Sequence, residues 1–215
     1  MSKLFLGSLN KNRLAVFRKL RSFRDMGVLG GGTALALQIG HRASFDFDIF
    51  TREKLHNLLW KEAKRVFGET SEKILDTEDQ LDLITPENVA VTFFHDDYQL
   101  LFDPIPSEIM NLLDPRDIAT NKAYLLGKRP KWRDYVDLYF LLKENYVSIG
   151  ELISLSQKKF GTDFSEKLFL EQIVYWGDMD DYIVDFLTTE IEPEEIKIFL
   201  ENEVKKFVRG ELFKE

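Results

Sequence analysis

The chain has 215 residues, 44% of them hydrophobic, enough for one domain, or a domain with a helical extension, to bury a core without covalent staples. It contains no cysteine, which excludes disulfides, zinc–thiolate and iron–sulfur sites and a cysteine nucleophile. The net charge of −8 is concentrated: Asp178 to Glu203 holds ten acids against one base, Lys197, so that segment is −9 and the rest of the chain +1.

An acidic total is thus compatible with a phosphate-rich partner, and Lys122, Lys128, Arg129, Lys131 and Arg133 make a locally basic run. No apolar stretch approaches the roughly 18 residues of a membrane span. The opening MSKLFLGSLNKNRLAVFRKL is too interrupted by charge for a secretory core. The expectation is a soluble, unprocessed, cytoplasmic protein with no membrane partner.

In chain order, Leu14, Phe17, Leu20 and Phe23 recur at helical intervals and predict a helix that stops at Gly27 as a glycine C-cap. VLGGG predicts a short strand entering a glycine turn, TALALQIGH a helix that Thr33 can cap, and SFDFDIF a strictly alternating strand. REKLHNLLWKEAKRVFGE predicts an amphipathic helix that includes His56. SEKILDTED, QLDLIT, NVAVTFFH and YQLLFDP predict strands, the last two joined at Asp96-Asp97, which reads as a turn. After Pro104 and Pro106 the segments SEIMNLL, PRDIATNKAYLLG, WRDYVDLYFLLKEN, IGELISLSQKKF, SEKLFLEQIVYWG and PEEIKIFLENEVKKFV all predict helix. The expected fold class is α+β: a core over residues 1–105 with a mixed or antiparallel sheet, then a helical region over residues 106–215 that includes the acidic segment.

Chemistry concentrates at GGTALALQIGHRASFDFDIF. Residues two apart on a strand share a face, so Asp46 and Asp48 project together while Phe45, Phe47 and Ile49 face the core. Paired ionised carboxylates repel unless a cation lies between them or one is protonated. An oxygen-only pair favours magnesium or manganese over zinc. Gly31 and Gly32 let backbone amides approach an anion, and the following helix N-terminus directs its N–H groups and positive dipole end there. A nucleoside triphosphate suits both features. P-loop and dinucleotide-binding glycine motifs are absent.

Strand, glycine turn, short helix and a return strand ending in D-x-D, with thirteen residues between Gly32 and Asp46, resembles the nucleotidyltransferases of the DNA polymerase beta superfamily. Downstream, DPRDIATNKAYLLGKRPKWRDYVDLYFLL sets Asp117, Lys122, Arg133, Asp134 and Asp137 on two consecutive predicted helices, with Arg133 and Asp137 four apart on one face. Together with GGTALAL and GHRASFDFDIF, this pattern resembles the nucleotidyltransferase AbiEii/AbiGii toxin family of bacterial toxin–antitoxin and abortive-infection systems. The resemblance covers roughly residues 25 to 145. It implies that Gly31, Gly32 and Thr33 form the nucleotide turn, that Asp46 and Asp48 bind catalytic metal, that Lys122 steadies the triphosphate and that Asp137 is a third functional acid. Arg42 and Ser44 match positions beside the site as triphosphate contacts. Superfamily members with the third carboxylate on a later strand make Asp82 the alternative to Asp137.

The implied activity is magnesium-dependent transfer of a nucleoside monophosphate from an NTP to an acceptor, RNA by resemblance and the tRNA 3′ end as one possibility, with an antitoxin as a further partner. Two other readings stand beside it: a degenerate fold that senses nucleotide or binds a partner through the acidic segment, and a phosphohydrolase using the same metal pair. His41 and His95 read as structural or exposed, Tyr135 and Tyr139 as core, and Trp132 as packing or as a base-stacking platform.

Overall fold

The computed structural model describes residues 4–126, 128–129, 131–179 and 181–212. The chain forms two compact units, Met1–Gln99 with Asp103–Asp114, and Leu100–Phe102 with Pro115–Glu215.

In the first unit, Asn10 caps helix α1 (Lys11–Lys19) by accepting the Arg13 N–H at 2.9 Å. The helix tightens into a 3-10 turn at Leu20–Phe23. Gly27 is not its cap; it opens strand β1 (Gly27–Gly30), where a Cβ would stand 2.4 Å from the Phe50 carbonyl oxygen. There follow α2 (Gly31–Ile39), β2 (Asp46–Thr51), α3 (Leu59–Phe67), β3 (Glu72–Asp76), β4 (Gln80–Ile84) and β5 (Ala90–His95). The sheet is mixed, in the order β1-β2-β5-β4-β3, parallel only between β2 and β5. One face buries Phe47, Ile49, Leu81, Leu83, Val91 and Phe93. Phe17 stacks on Phe47 at 6.1 Å, and Phe23 meets Phe67 and Phe93 at 5.6 and 5.0 Å. On the other face the registers set Gly30, Asp48, Thr92, Asp82 and Leu75 in one row across the strands.

Three predicted elements differ. His56 precedes α3, which begins only at Leu59. SEIMNLL is not a helix: the Leu29 N–H donates to the Asn111 carbonyl at 2.9 Å and the Leu113 N–H to the Leu29 carbonyl at 2.8 Å, so the segment covers the outer edge of β1 and buries Met110, Leu112 and Leu113 that way. YQLLFDP is not a strand: the Tyr98 N–H donates to the Asp96 carboxylate at 3.1 Å, and Leu100–Phe102 belong to the second unit. The Leu101 and Phe102 N–H groups donate to the Asp117 carboxylate at 3.1 and 3.0 Å.

That second unit contains α4 (Pro115–Leu126), α5 (Trp132–Lys143), α6 (Ile149–Phe160), α7 (Glu166–Gln172) and α8 (Pro193–Leu212). Ser148 and Ser165 cap α6 and α7. Asp117 also accepts from Lys159 Nζ at 2.9 Å, with both side chains fully buried. Trp132 packs against Tyr135, Trp176 and Tyr182 with ring centroids 4.9 to 6.1 Å apart and is 3% exposed, so it is scaffold and not a free stacking surface. Much of the acidic segment is irregular rather than helical. From Asp181 to Leu187 exposure alternates, with Ile183 and Leu187 outward; Asp180 lies outside the described residues. Among the described residues no helix is long and apolar enough to cross a membrane.

Candidate active site

Asp46 opens β2 at an exposed position and Asp48 follows half-buried on the same face, while Phe47 and Ile49 are buried behind them. The antiparallel register opposes Asp48 to Gly30, the residue before α2. Gly31, the first residue of that helix, has a φ of +64°, and a Cβ there would stand 2.2 Å from Asp48 Oδ2. Glycine is required twice over, by backbone conformation and by the room the carboxylate takes.

Gly31 and Gly32 form the first turn of α2, with Gly30 at the N-cap position and no side chain capping it. Amides at such an end are available to an anion, and the helix dipole favours one there. Thr33 does not cap the helix, as its position suggests it can. It lies two residues inside, where its hydroxyl bonds to the main-chain carbonyl of Asp46 and to Ser44 Oγ. A carbonyl only accepts, so the Thr33 proton goes to Asp46 and Ser44 donates to Thr33. The helix start is thereby tied to the first residue of the carboxylate strand. Ser44 is buried beneath this bond, as are His41 and Arg42, whose Nη1 donates to the Ala43 carbonyl at 2.9 Å.

Lys122 and Asp137 belong to the second unit. Asp134 and Asp137 lie one turn apart on α5, and Lys122 of α4 bonds to both, at 2.8 Å to Asp137 Oδ2. All three are buried; Arg129 Nη2 lies 3.3 Å from the second oxygen of Asp134. The i, i+3 spacing within RDYVD was visible in the sequence, but the division of one lysine between two carboxylates was not. Next to this cluster, burial and then the negative charges of Asp178 and Asp134 push the Tyr135 hydroxyl up, keeping it a neutral donor to the Gln172 carbonyl at 3.1 Å.

Asp82, the alternative third acid, is in the first unit, in the row of Asp48 with Thr92 between them. Neighbouring strands are about 4.8 Å apart, so the two aspartates stand roughly 10 Å apart across the sheet. The Gln80 side-chain amide bonds both Asp82 oxygens, at 3.0 and 2.8 Å. Among the described residues no group of three or more His, Asp or Glu side chains is gathered closely enough to hold a metal.

A family model for the nucleotidyl transferase AbiEii toxin of type IV toxin–antitoxin systems matches residues 15–212. The chain belongs to the AbiEii family. The resemblance read from GGTALAL, FDFD and RDYVDL therefore holds, and over more of the chain than those motifs span. A relative, an uncharacterized protein of Aquifex aeolicus, is 28% identical over 187 residues, 85% of this chain and 88% of that protein. The fold is similar to that of JHP933 from Helicobacter pylori, with a TM-score of 0.61, 22% identity and coverage of 94% of this chain and 92% of the other. It is also similar to that of MenT4, a nucleotidyltransferase toxin from Mycobacterium tuberculosis H37Rv, with a TM-score of 0.56, 14% identity and coverage of 89% and 80%. As an AbiEii protein the chain is an α+β nucleotidyltransferase, an enzyme that transfers a nucleoside monophosphate.

Proposed function

We propose that this AbiEii protein transfers a nucleoside monophosphate from an NTP to RNA, the 3′ end of tRNA being one such acceptor, with magnesium or manganese held by Asp46 and Asp48. The observation that carries the reading is the seating of the β2 carboxylate pair against the glycine-led start of α2, with Asp48 packed on Gly31. The donor set fits a hard cation: two carboxylates, without imidazole or thiolate on the strand. Bound there, the ion supplies Lewis-acid polarisation of the α-phosphate and of the departing pyrophosphate.

The chain's own residues do the rest. The Gly31 and Gly32 amides receive triphosphate oxygens, assisted by the α2 dipole. Thr33 and Ser44 brace the turn against β2, and the family resemblance makes Arg42 and Ser44, both buried beside it, triphosphate contacts. The family resemblance gives Lys122 the role of steadying the triphosphate and Asp137 that of the third functional acid, and their 2.8 Å ion pair lies within the second unit. Asp82 is the sheet-borne alternative for the third acid, supported by its row with Asp48. In the transfer the acceptor hydroxyl oxygen bonds to the α-phosphorus as its proton passes to solvent, the bond to the β-phosphate bridging oxygen breaks, and pyrophosphate leaves with the electron pair. An antitoxin encoded with the enzyme, a cytoplasmic setting and a role in phage defence complete the proposal.

The test is incubation of wild type and the Asp46→Ala/Asp48→Ala variant with each α-labelled NTP, magnesium and total RNA. Label in RNA from wild type alone supports the reading. Label in protein makes polypeptide the acceptor, and a fully active double variant overturns the assignment of the carboxylate pair.

A further inference from the structure

In a chain of net charge −8, residues 11–24 hold six bases and no acid. Two of the six are engaged inside the unit: the Arg13 guanidinium lies 4.0 Å over the Phe45 ring, and Lys19 bonds the Phe67 carbonyl and Glu87. Arg18, Arg21 and Arg24 are exposed, and among the described residues no carboxylate pairs with any of them. Arg21 sits in the 3-10 turn Leu20–Phe23 and Arg24 directly follows it. In that geometry residues i and i+3 eclipse, at a rise of about 2.0 Å per residue, so the two guanidinium stems line up about 6 Å apart along one ridge.

The ridge is one wall of a groove of about 390 Å³, whose other wall is Pro106, Ser107, Glu108 and Asn111. Ser107 sets that wall: its hydroxyl donates to the Met110 carbonyl at 2.7 Å and accepts the Met110 N–H at 3.2 Å. Asn111 joins the groove to the active site, because its main-chain carbonyl takes the N–H of Leu29 at 2.9 Å, two residues before Gly31. The groove thus runs beside the strand that delivers the nucleotide turn, within the first unit.

We propose that this groove binds the sugar–phosphate backbone of a single-stranded RNA acceptor and leads its end toward the turn at Gly31. The inference rests on the RNA-acceptor reading above. Two aligned, unpaired arginines suit successive phosphates, which need charge and no sequence. A peptide would require apolar anchors, and Pro106 alone is apolar here. Glu108 repels phosphate and so confines the backbone to the arginine wall, while its carboxylate accepts from a ribose 2′-hydroxyl, a donor that DNA lacks.

The experiment is fluorescence anisotropy of a labelled 12-nucleotide RNA and its DNA counterpart with full-length wild type and Arg21→Ala/Arg24→Ala, over a salt series. Both changes are at exposed positions, and thermal melting checks the fold. The expected result is RNA binding weakened about tenfold or more, and a slope of log affinity against log salt that falls in magnitude by about 1.4, the value for two contacts to a single strand. Wild type should prefer RNA to DNA, and Glu108→Ala should lose that preference. If wild type labels RNA but the double variant binds it with unchanged affinity and slope, the groove assignment is wrong and the acceptor reading stands. Should wild type neither bind nor label RNA while still labelling protein, the acceptor reading itself has failed. Equal affinity for RNA and DNA in wild type overturns the ribose recognition.

Discussion

Asp48 and Gly31 are packed so closely that one methyl group on the glycine would stand 2.2 Å from the carboxylate oxygen. The contact makes the carboxylate strand β2 and the glycine turn that opens α2 a single object. Gly31→Ala meets two penalties, a left-handed backbone that costs an L-residue roughly 1–2 kcal/mol and displacement of Asp48. Misplacing a reacting group by about 1 Å can cost about a hundredfold in rate, so transfer should fall by one to two orders of magnitude with the protein still folded. Single-turnover labelling with circular dichroism checks this, and a variant of wild-type rate refutes the role given to the contact.

Thr33→Val keeps the shape but removes the proton given to the Asp46 carbonyl. The Asp46 carbonyl is part-buried, so loss of its donor costs toward the lower end of the about 1–3 kcal/mol of a buried group, and urea denaturation should show a loss of about 1 kcal/mol. Thr33→Ser, which restores the hydroxyl, should recover most of it. Equal stability of the valine and serine variants would show that the bond holds nothing.

Lys122→Met removes the cation that bonds both buried carboxylates, Asp134 and Asp137. Breaking a buried pair by removing one partner costs about 3–5 kcal/mol. The predicted loss should shrink when Asp137→Asn accompanies Lys122→Met, since one stranded charge is then gone. A double-mutant cycle in urea measures the coupling.

Glu87 supplies a pH test. Burial alone raises its carboxyl, but the hydrogen bond from Lys19, a backbone hydrogen bond and the Lys19 charge outweigh it, and the net shift is downward. A group whose folded value is depressed contributes stability that is complete above its unfolded value and is lost as pH falls through the folded one. Glu87→Gln should therefore be less stable by up to about 1 kcal/mol at neutral pH, with the difference closing below about pH 4.3, the ordinary glutamate value. Parallel melts from pH 7 to pH 3 measure it; a gap that widens in acid contradicts the assignment.

Much of this fold can be read locally. Alternation in FDFDIF and AVTFFH reports strands with one buried face, and that period alone puts Asp46 and Asp48 side by side. What escapes such reading is carried by partners distant in sequence. Threonine at a helix start is chemically equivalent for capping and for bonding a neighbouring strand, and only the fold shows that Thr33 takes Asp46. YQLLFDP has strand-like composition, yet its Leu101 and Phe102 amides go to Asp117, and the cation completing that site, Lys159, lies 42 residues further along. SEIMNLL has helical spacing but buries its apolar residues against the edge of β1. The arginine groove depends on a 3-10 turn meeting a loop more than eighty residues downstream, a proximity no local pattern encodes.

At the opposite margin of the sheet from β1, β3 is exposed along its whole length, with Ile74 and Leu75 open to solvent between Glu72, Lys73 and Asp76. Those charges act as gatekeepers on an edge that would otherwise template pairing with another copy. Handling follows from this: concentrated preparations should stay clearest in buffers of low ionic strength, and a lysine in place of Ile74 is the substitution of choice for improving their shelf life.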